Sequence, residues 1–278
     1  MILSIASGKG GTGKTTVATN LAAALECPVR LLDCDVEEPN AHIFLKPEIT
    51  ERETVTAVVP DVDLSKCEYC GACGDICQFS AIVAAGETVM TFTEMCHSCK
   101  GCMMVCPTGA ISESSRTLGE IIKGVSGQVE LVYGSLRVGE AMSPPMIRKV
   151  KEEVRTEGLT VIDAPPGTSC PVIESIRNTD YVILVTEPTP FGLNDLMLAA
   201  EAVRALDIPF GIVLNRCDSG DDNTHRYARE QGIPILMEIP DKREIAEAYS
   251  KGHLMIEAFP EMKVGFKNLM GECVKRET

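Results

Sequence analysis

The chain contains no tryptophan and only 4% aromatic residues. That leaves little material for the base-stacking surfaces that grip single-stranded nucleic acid. Positive charge is also scarce. Against 40 Asp and Glu stand 26 Lys and Arg, a formal net charge of −14, and general affinity for DNA needs a basic patch. No apolar run reaches 18 residues, and no basic-then-apolar leader opens the sequence. Neither a membrane span nor a secretory signal is therefore expected. Cysteine, by contrast, is abundant, with thirteen in 278 residues. Without a secretory signal that usage fits a reducing, anaerobic cytoplasm better than a disulfide framework.

Eight of the cysteines fall in two matched stretches. Residues 67–82 read CEYCGACGDICQFSAI and residues 96–111 read CHSCKGCMMVCPTGAI, sharing a C-x2-C-x2-C-x3-C frame and a closing Ala-Ile. A zinc site needs four ligands and usually draws them from two C-x2-C pairs. Here each stretch supplies four thiols by itself, and thiolates are soft ligands suited to iron. In this spacing three close cysteines hold one iron–sulfur cube and the distant fourth crosses to the other. Cys67, Cys70, Cys73 and Cys106 are then ligands of one [4Fe-4S] cluster, and Cys96, Cys99, Cys102 and Cys77 of a second. The region from residue 60 to 114 resembles a two-cluster bacterial ferredoxin. It departs from that pattern once, where Gln78 replaces the usual proline. Cys27, Cys34, Cys170, Cys217 and Cys273 occur singly.

The amino-terminal segment MILSIASGKGGTGKTTVATNLAAAL places an apolar strand, a glycine loop and an alanine-rich helical pattern in succession. That is the context a phosphate-binding loop requires. Its glycines let backbone N–H groups converge on a phosphate at a helix N-terminus, whose dipole favours anions. Gly8, Gly10, Gly11, Thr12, Gly13, Lys14, Thr15 and Thr16 form this candidate site. Lys14 is expected to reach the β- and γ-phosphates of ATP or ADP, and the Thr15 hydroxyl to ligate Mg²⁺.

GKGGTGKT, with its early Lys9, resembles the deviant Walker A motif of the MinD/ParA/Mrp and nitrogenase iron-protein ATPases. The resemblance implies that Lys9 reaches across an ATP-dependent homodimer to the other subunit's nucleotide. VRLLDCD at 29–35 resembles the family's first switch, which implies Asp35 near Mg²⁺ and the attacking water, supported by Asp33, with Asn40 entering the switch. LTVIDAPPG at 159–167 resembles Walker B running into the second switch, with Asp163 holding a Mg²⁺-bound water and Gly167 approaching the γ-phosphate. LNRCD implies Asn215, with Asp218, beside adenine, and ILMEIPDKREI resembles the last strand and its proline loop around Pro240.

Taken together, the chain resembles a MinD-superfamily P-loop ATPase containing an inserted two-[4Fe-4S] ferredoxin domain. The expected fold is α/β, a doubly wound, mainly parallel sheet formed by residues 1–58 and 116–278, with an inserted α+β ferredoxin domain at 59–115. After Cys106 only lone cysteines remain, so the subunit-bridging cluster of Mrp-type scaffold proteins is not expected. The leading expectation is a Mg-dependent ATPase whose nucleotide state controls electron transfer or metallocofactor assembly on a partner protein. From residue 59 to 115 seven acidic side chains face two basic ones, so that partner should present a basic face. No nucleic-acid or membrane partner is expected. The alternative is a MinD-like positioning ATPase that binds membrane through its C-terminal helix. Met262, Phe266, Leu269, Met270 and Cys273 fall there at helical spacing, a stripe that usually faces a core.

Overall fold

The computed structural model describes residues 1–140 and 142–276. In chain order, β1 (Ile2–Ala6) leads through the glycine loop into α1 (Lys14–Ala24), followed by β2 (Val29–Asp33), α2 (Ala41–Leu45) and the long β3 (Glu48–Val62). The cysteine-bearing stretch carries α3 (Ala72–Ile76), β4 (Ile82–Ala85), β5 (Thr88–Thr91) and α4 (Gly101–Val105). Next come β6 (Ile111–Ser126), β7 (Val129–Leu136), α5 (Pro144–Lys151), β8 (Leu159–Asp163), α6 (Cys170–Ile176) and β9 (Tyr181–Thr186). The chain ends with α7 (Pro190–Ala205), β10 (Phe210–Asn215), α8 (Asn223–Glu230), β11 (Ile235–Ile239), α9 (Arg243–Ser250), α10 (Met255–Ala258) and α11 (Met262–Arg276).

The sheet order is β11-β10-β9-β1-β8-β2-β7-β6-β3. Every neighbour pair from β11 to β7 is parallel, whereas β7–β6 and β6–β3 are antiparallel. The central strands read as near-continuous apolar runs because helices cover both faces. Successive side chains alternate between those faces. Tyr181, Ile183 and Val185 pack with Val17 and Leu21 of α1 and with Phe266 and Leu269 of α11. Val182 and Leu184 point the other way, onto Leu196, Ala200 and Val203 of α7. Beside them Leu32 and Ile162 meet Met146, Ile147 and Val150 of α5. The architecture is a doubly wound, mixed α/β P-loop fold.

The expected inserted ferredoxin domain is not seen as a distinct unit, and that expectation is corrected here. β3 and β6 pair from Glu48↔Val125 to Val62↔Ile111, passing through Val58↔Ser115 and Val59↔Ser114. The ladder thus continues through both expected boundaries. The inner half of β6 also pairs with β7, from Gly119↔Leu136 to Ser126↔Val129. The cysteine stretch is therefore the tip of a two-stranded ribbon that grows out of the main sheet. Its small apolar cluster, centred on Cys73, Ile82 and Ile111, draws on Val62 and Ile111 at the ribbon's own end. No group of three or more His, Cys, Asp or Glu among the described residues is arranged to hold a metal ion.

The C-terminal stripe is used inside the molecule. Phe266, Leu269 and Cys273 are fully buried, with Met262 and Met270 packed on the same core. No helix among the described residues is long and apolar enough to cross a membrane. Phe266→Ala should destabilise the protein by about 3–5 kcal/mol, the usual effect of deleting a buried phenyl ring. Val264→Ala, on the exposed side of the same helix, should stay within about 0.5 kcal/mol. Urea-unfolding midpoints test the pair. Equal midpoints would mean that α11 does not hold the core.

Candidate functional site

Between β1 and α1 the chain turns through two left-handed glycines, Gly11 (φ 79°) and Gly13 (φ 97°). That conformation strains any residue with a Cβ. Gly8 is required for a different reason, since a Cβ there would collide with the Asp195 carbonyl of α7. Lys14, at the first turn of α1, is buried at 6% exposure. The Ser7 hydroxyl donates to the Lys9 carbonyl at 2.5 Å, and the Gly167 N–H donates to the Ser7 carbonyl at 3.0 Å. These bonds tie the loop to the segment after β8.

Three carboxylates meet at the strand ends beside it. Register pairs Asp33 directly with Asp163 across β2 and β8. Asp33 is occupied: one oxygen accepts from the Asp35 N–H (3.1 Å), the other from the Asn40 and Ala41 N–H groups (3.0 Å each). It therefore caps α2 and shapes the loop carrying Asp35. Both oxygens of Asp163 are buried without a hydrogen-bond partner. Burial pushes the Asp163 carboxyl up to about 7 against the pull of Lys14. Burial also lifts Asp35 to about 6, opposed by Lys14 and aided by Glu37 and Glu38. Asp33 is raised well above the ordinary range by burial and by Asp163. Two orphaned carboxylate oxygens beside a threonine hydroxyl fit the oxygen donor set of Mg²⁺, which is held by one or two carboxylates plus substrate phosphate.

A cleft of about 410 Å³ opens above these groups, lined by Gly10, Gly11, Gly13, Lys14, Thr15, Thr16, Asp35, Asn40, Asn215 and Pro240. Of the other expected site residues, Thr12 is buried beneath the loop. Lys9 turns elsewhere, its Nζ 3.9 Å from Glu187 Oε2, and Arg216 Nη1 holds the same carboxylate at 2.8 Å. Asp218 accepts from the Asp241 N–H at 2.6 Å. Sequence reasoning missed the far wall of the cleft: Arg216, Lys242, Ile245, Ala246, Tyr249 and Met255. The short amphipathic pattern of α9 was the available signal for part of it, but nothing local marks which face meets the cleft.

The ribbon tip forms two further pockets. One is lined by Cys67, Cys70, Cys73 and Cys106, the other, of about 220 Å³, by Cys77, Cys96, Cys99 and Cys102. Their loops repeat one backbone pattern. Positive φ occurs at Tyr69 and Ser98, at Gly71 and Lys100, and at Ser80 and Gly109, each pair 29 residues apart. Four of these six are not glycine, and such strain clusters at functional sites. The Tyr69, Ala81 and Ser98 N–H groups point at the sulfurs of Cys67, Cys77 and Cys96 at 3.3–3.4 Å. Burial would raise the Cys77 thiol, but the N–H groups of Phe79, Ala81, Ile82 and Ser80 outweigh it and hold it below its ordinary value. Cys106 is lowered in the same way, by the Thr108 hydroxyl and nearby N–H groups against the effect of burial.

Asp35 and Asp163 bind protons more tightly in the folded chain than the ordinary value of 3.8 allows when unfolded. The folded state then holds more protons than the unfolded one. Stability of the ligand-free protein should fall as pH rises from about 4 through about 7. Asp163→Asn should raise stability at pH 7.5 by about 1 kcal/mol or more, with a smaller gain at pH 5. Its ATP hydrolysis should fall roughly 100-fold or more. Urea unfolding at both pH values, with phosphate release, checks this. A variant no more stable than the parent at pH 7.5 would mean that the carboxylates are not in conflict.

Residues 3–255 match the family model described as the CobQ/CobB/MinD/ParA nucleotide binding domain. An uncharacterised protein of Methanocaldococcus jannaschii is 30% identical over 259 residues, covering 91% of this chain and 90% of that one. An iron–sulfur cluster carrier protein of the same organism is 25% identical, covering 98% and 83%. Among solved structures, the septum site-determining protein MinD with Mg-ADP from Pyrococcus horikoshii matches with a TM-score of 0.62 at 22% identity, covering 98% of this chain and 94% of that one. MinD of Pyrococcus furiosus matches with a TM-score of 0.59 at 24% identity. At these identities the structural matches speak to the fold alone. They span nearly the whole chain as a single MinD fold, which corrects the expected subgroup carrying a separate ferredoxin insertion. The chain belongs to the CobQ/CobB/MinD/ParA nucleotide-binding family and is a P-loop ATPase of the MinD/ParA/Mrp superfamily.

Proposed function

We propose that this ATPase couples its nucleotide state to iron–sulfur chemistry, transferring electrons to a partner protein or assisting metallocofactor assembly on it. The reading rests on the crossed gathering of cysteines. Cys106 joins Cys67, Cys70 and Cys73 although it lies 33 residues beyond Cys73, and Cys77 joins Cys96, Cys99 and Cys102. A single metal ion draws its ligands to one point, at about 2.3 Å for zinc and thiolate. A [4Fe-4S] cluster is met by four thiolates at its corners, and four cysteines around a cavity fit that need. Backbone N–H groups aimed at the sulfurs also suit such a group, since they stabilise thiolate charge. The 25% identity to proteins named iron–sulfur cluster carriers points the same way.

In the ATPase cycle Lys14 and the loop N–H groups hold the phosphates, and hydrolysis needs positioning and charge rather than a protein nucleophile. Mg²⁺, when bound, neutralises developing charge on the transferring phosphoryl group. Thr15 and Asp163 are the residues that would hold it, Asp163 through a bound water, while Asp35 orients the attacking water. Lys9 is the residue for the second subunit of an ATP-dependent homodimer. To act there it leaves Glu187.

The partner surface is the ribbon tip. Its two lysines are already paired, Lys66 with Asp63 and Lys100 with Glu113, so its acidic excess is left for a basic face. Ile76, Phe79, Met90, Met95 and Met104 stand exposed among those charges. Clusters of exposed apolar side chains mark interaction sites.

Anaerobically prepared protein should carry about eight iron and eight sulfide per chain. Cys106→Ser should remove about half of the iron by damaging the cluster held by Cys67, Cys70 and Cys73. Stoichiometric zinc, with no broad visible absorbance after reconstitution, would overturn the cluster assignment. For the ATPase half, Lys14→Ala should weaken ATP binding itself. Lys9→Ala should bind ATP within about threefold of the parent but lose ATP-dependent dimerisation and hydrolysis. Parental hydrolysis by the Lys9 variant would remove the trans-acting role.

A further inference from the structure

The ribbon leaves the body of the sheet at one residue. Going outward, β6 makes its last pair with β7 at Gly119↔Leu136. The next residue, Leu118, has no partner in the ladder with β3, which passes from Val55↔Gly119 to Thr56↔Thr117. Leu118 is therefore a bulge, a feature that bends a strand and re-aims it. It is buried, and the Arg137 N–H donates to its carbonyl at 2.8 Å. The chain just past β7 thus grips the bend.

On its other side the same stretch grips the segment beside the nucleotide. Val36 follows Asp35, which lines the cleft, and the Val36 carbonyl accepts from the Leu136 N–H at 2.9 Å. Two consecutive N–H groups, of Leu136 and Arg137, therefore join the Asp35 segment to the ribbon root. Packing repeats the link. A Cβ on Gly134 would lie 2.7 Å from Val36 Cγ1, and one on Gly119 would lie 2.9 Å from the Leu136 Cα, so glycine in both strands is what lets the layers nest. Val36, Val55, Leu118 and Met146 share one buried cluster, and an interior packed to crystal-like density transmits strain.

A buried ion pair completes this joint. Arg116, two residues outward from the bulge, holds Glu140 through both ends of its guanidinium, and Glu140 also accepts from the Met142 N–H at 3.2 Å. The Glu140 carboxylate is fully buried and the Arg116 guanidinium nearly so. Buried pairs of this kind are weak evidence for stability, and their best-attested use is to specify one arrangement. Neither residue lines the nucleotide cleft.

We propose that Val36, the Leu118 bulge and the Arg116–Glu140 pair form the joint through which the nucleotide site sets the bearing of the ribbon. A ligand that repositions Asp35 moves Val36, the two N–H groups past β7 carry the move to the bulge, and the paired ladder carries it to the tip. Arg116 and Glu140 are positioning residues that hold the ribbon root to the loop after β7. The inference deepens the nucleotide coupling proposed above and rests on it, but it needs no metal at the tip.

The test follows amide hydrogen exchange at residues 111–119 of the full chain, ligand-free, with ADP and Mg²⁺, and with a non-hydrolysable ATP analogue and Mg²⁺. In the parent, exchange there should differ between the ligand-free and analogue-bound states by about fivefold or more, the lower end of ordinary coupling between sites. Replacing both charges, Arg116→Leu with Glu140→Leu, should leave thermal unfolding close to the parent, as apolar replacement of a buried pair often does. The nucleotide response at 111–119 should nevertheless shrink to under about twofold. Glu140→Gln keeps the shape, strips the charge and should reduce the response as well. Thermal unfolding identifies a variant that fails to fold, in which case the other decides. A parent that exchanges alike in all three states would overturn the proposal, as would a parental response in either folded variant. Iron and sulfide are counted on the same samples. A response without iron upholds the joint and removes the cluster reading, whereas full iron without a response removes the joint alone.

Discussion

Two acidic side chains placed side by side in a buried parallel sheet are the constraint on which the rest depends. The register of β2 against β8 sets Asp33 beside Asp163, both fully buried. Neither can hold charge there without compensation. For Asp33 the compensation comes from backbone, since the N–H groups of Asp35, Asn40 and Ala41 converge on it. For Asp163 the described residues supply the nearby charge of Lys14, with the Thr15 hydroxyl close by but no hydrogen bond to either oxygen. The glycine loop brings both to the spot, because it ends where α1 begins. The ligand-free site is a set of unmet electrostatic demands, and magnesium and triphosphate together meet them. Catalytic preorganisation of this kind is obtained at the expense of stability in the resting protein.

Local chemistry was legible in the sequence. GKGGTGKT implied a glycine loop opening into a helix, and the loop does run into α1 at Lys14, with Gly11 and Gly13 left-handed. Apolar runs ending in aspartate gave β2 and β8 with their carboxylates at the ligand crevice. β9 and β10, YVILVT and FGIVLN, are apolar runs of the same kind, carried by the pattern of their residues alone. What escaped was nonlocal. Tyr249 and Ile245 reach the cleft only because α9 folds back over it. Asn215 was legible as a cleft residue but not as a donor to the Thr12 carbonyl, a contact that no spacing encodes.

The ribbon escaped for a different reason. The first half of β3, EITERET, is exposed throughout and dense with charge, so it lacks the apolar alternation that announces a strand. Its partner β6 does alternate, and Gly127 at φ 59° closes a tight turn into β7. That hairpin signal was present in IIKGVSGQVELVY but was overshadowed by the cysteine frames. Reading those frames as a module implied borders at 58/59 and 115/116, whereas the hydrogen-bonded ladder runs through both. Left-handed Tyr69, Ser98, Lys100 and Ser80 were not legible either, because their residue types carry no such preference.

The continuous ladder also governs how the tip can meet anything else. Flexible linkers let a tethered module sample a volume, and its local concentration at a second site then depends on linker length. A paired ribbon allows no such averaging. The bearing of the tip relative to the nucleotide site is set by the ladder and not by the length of a linker.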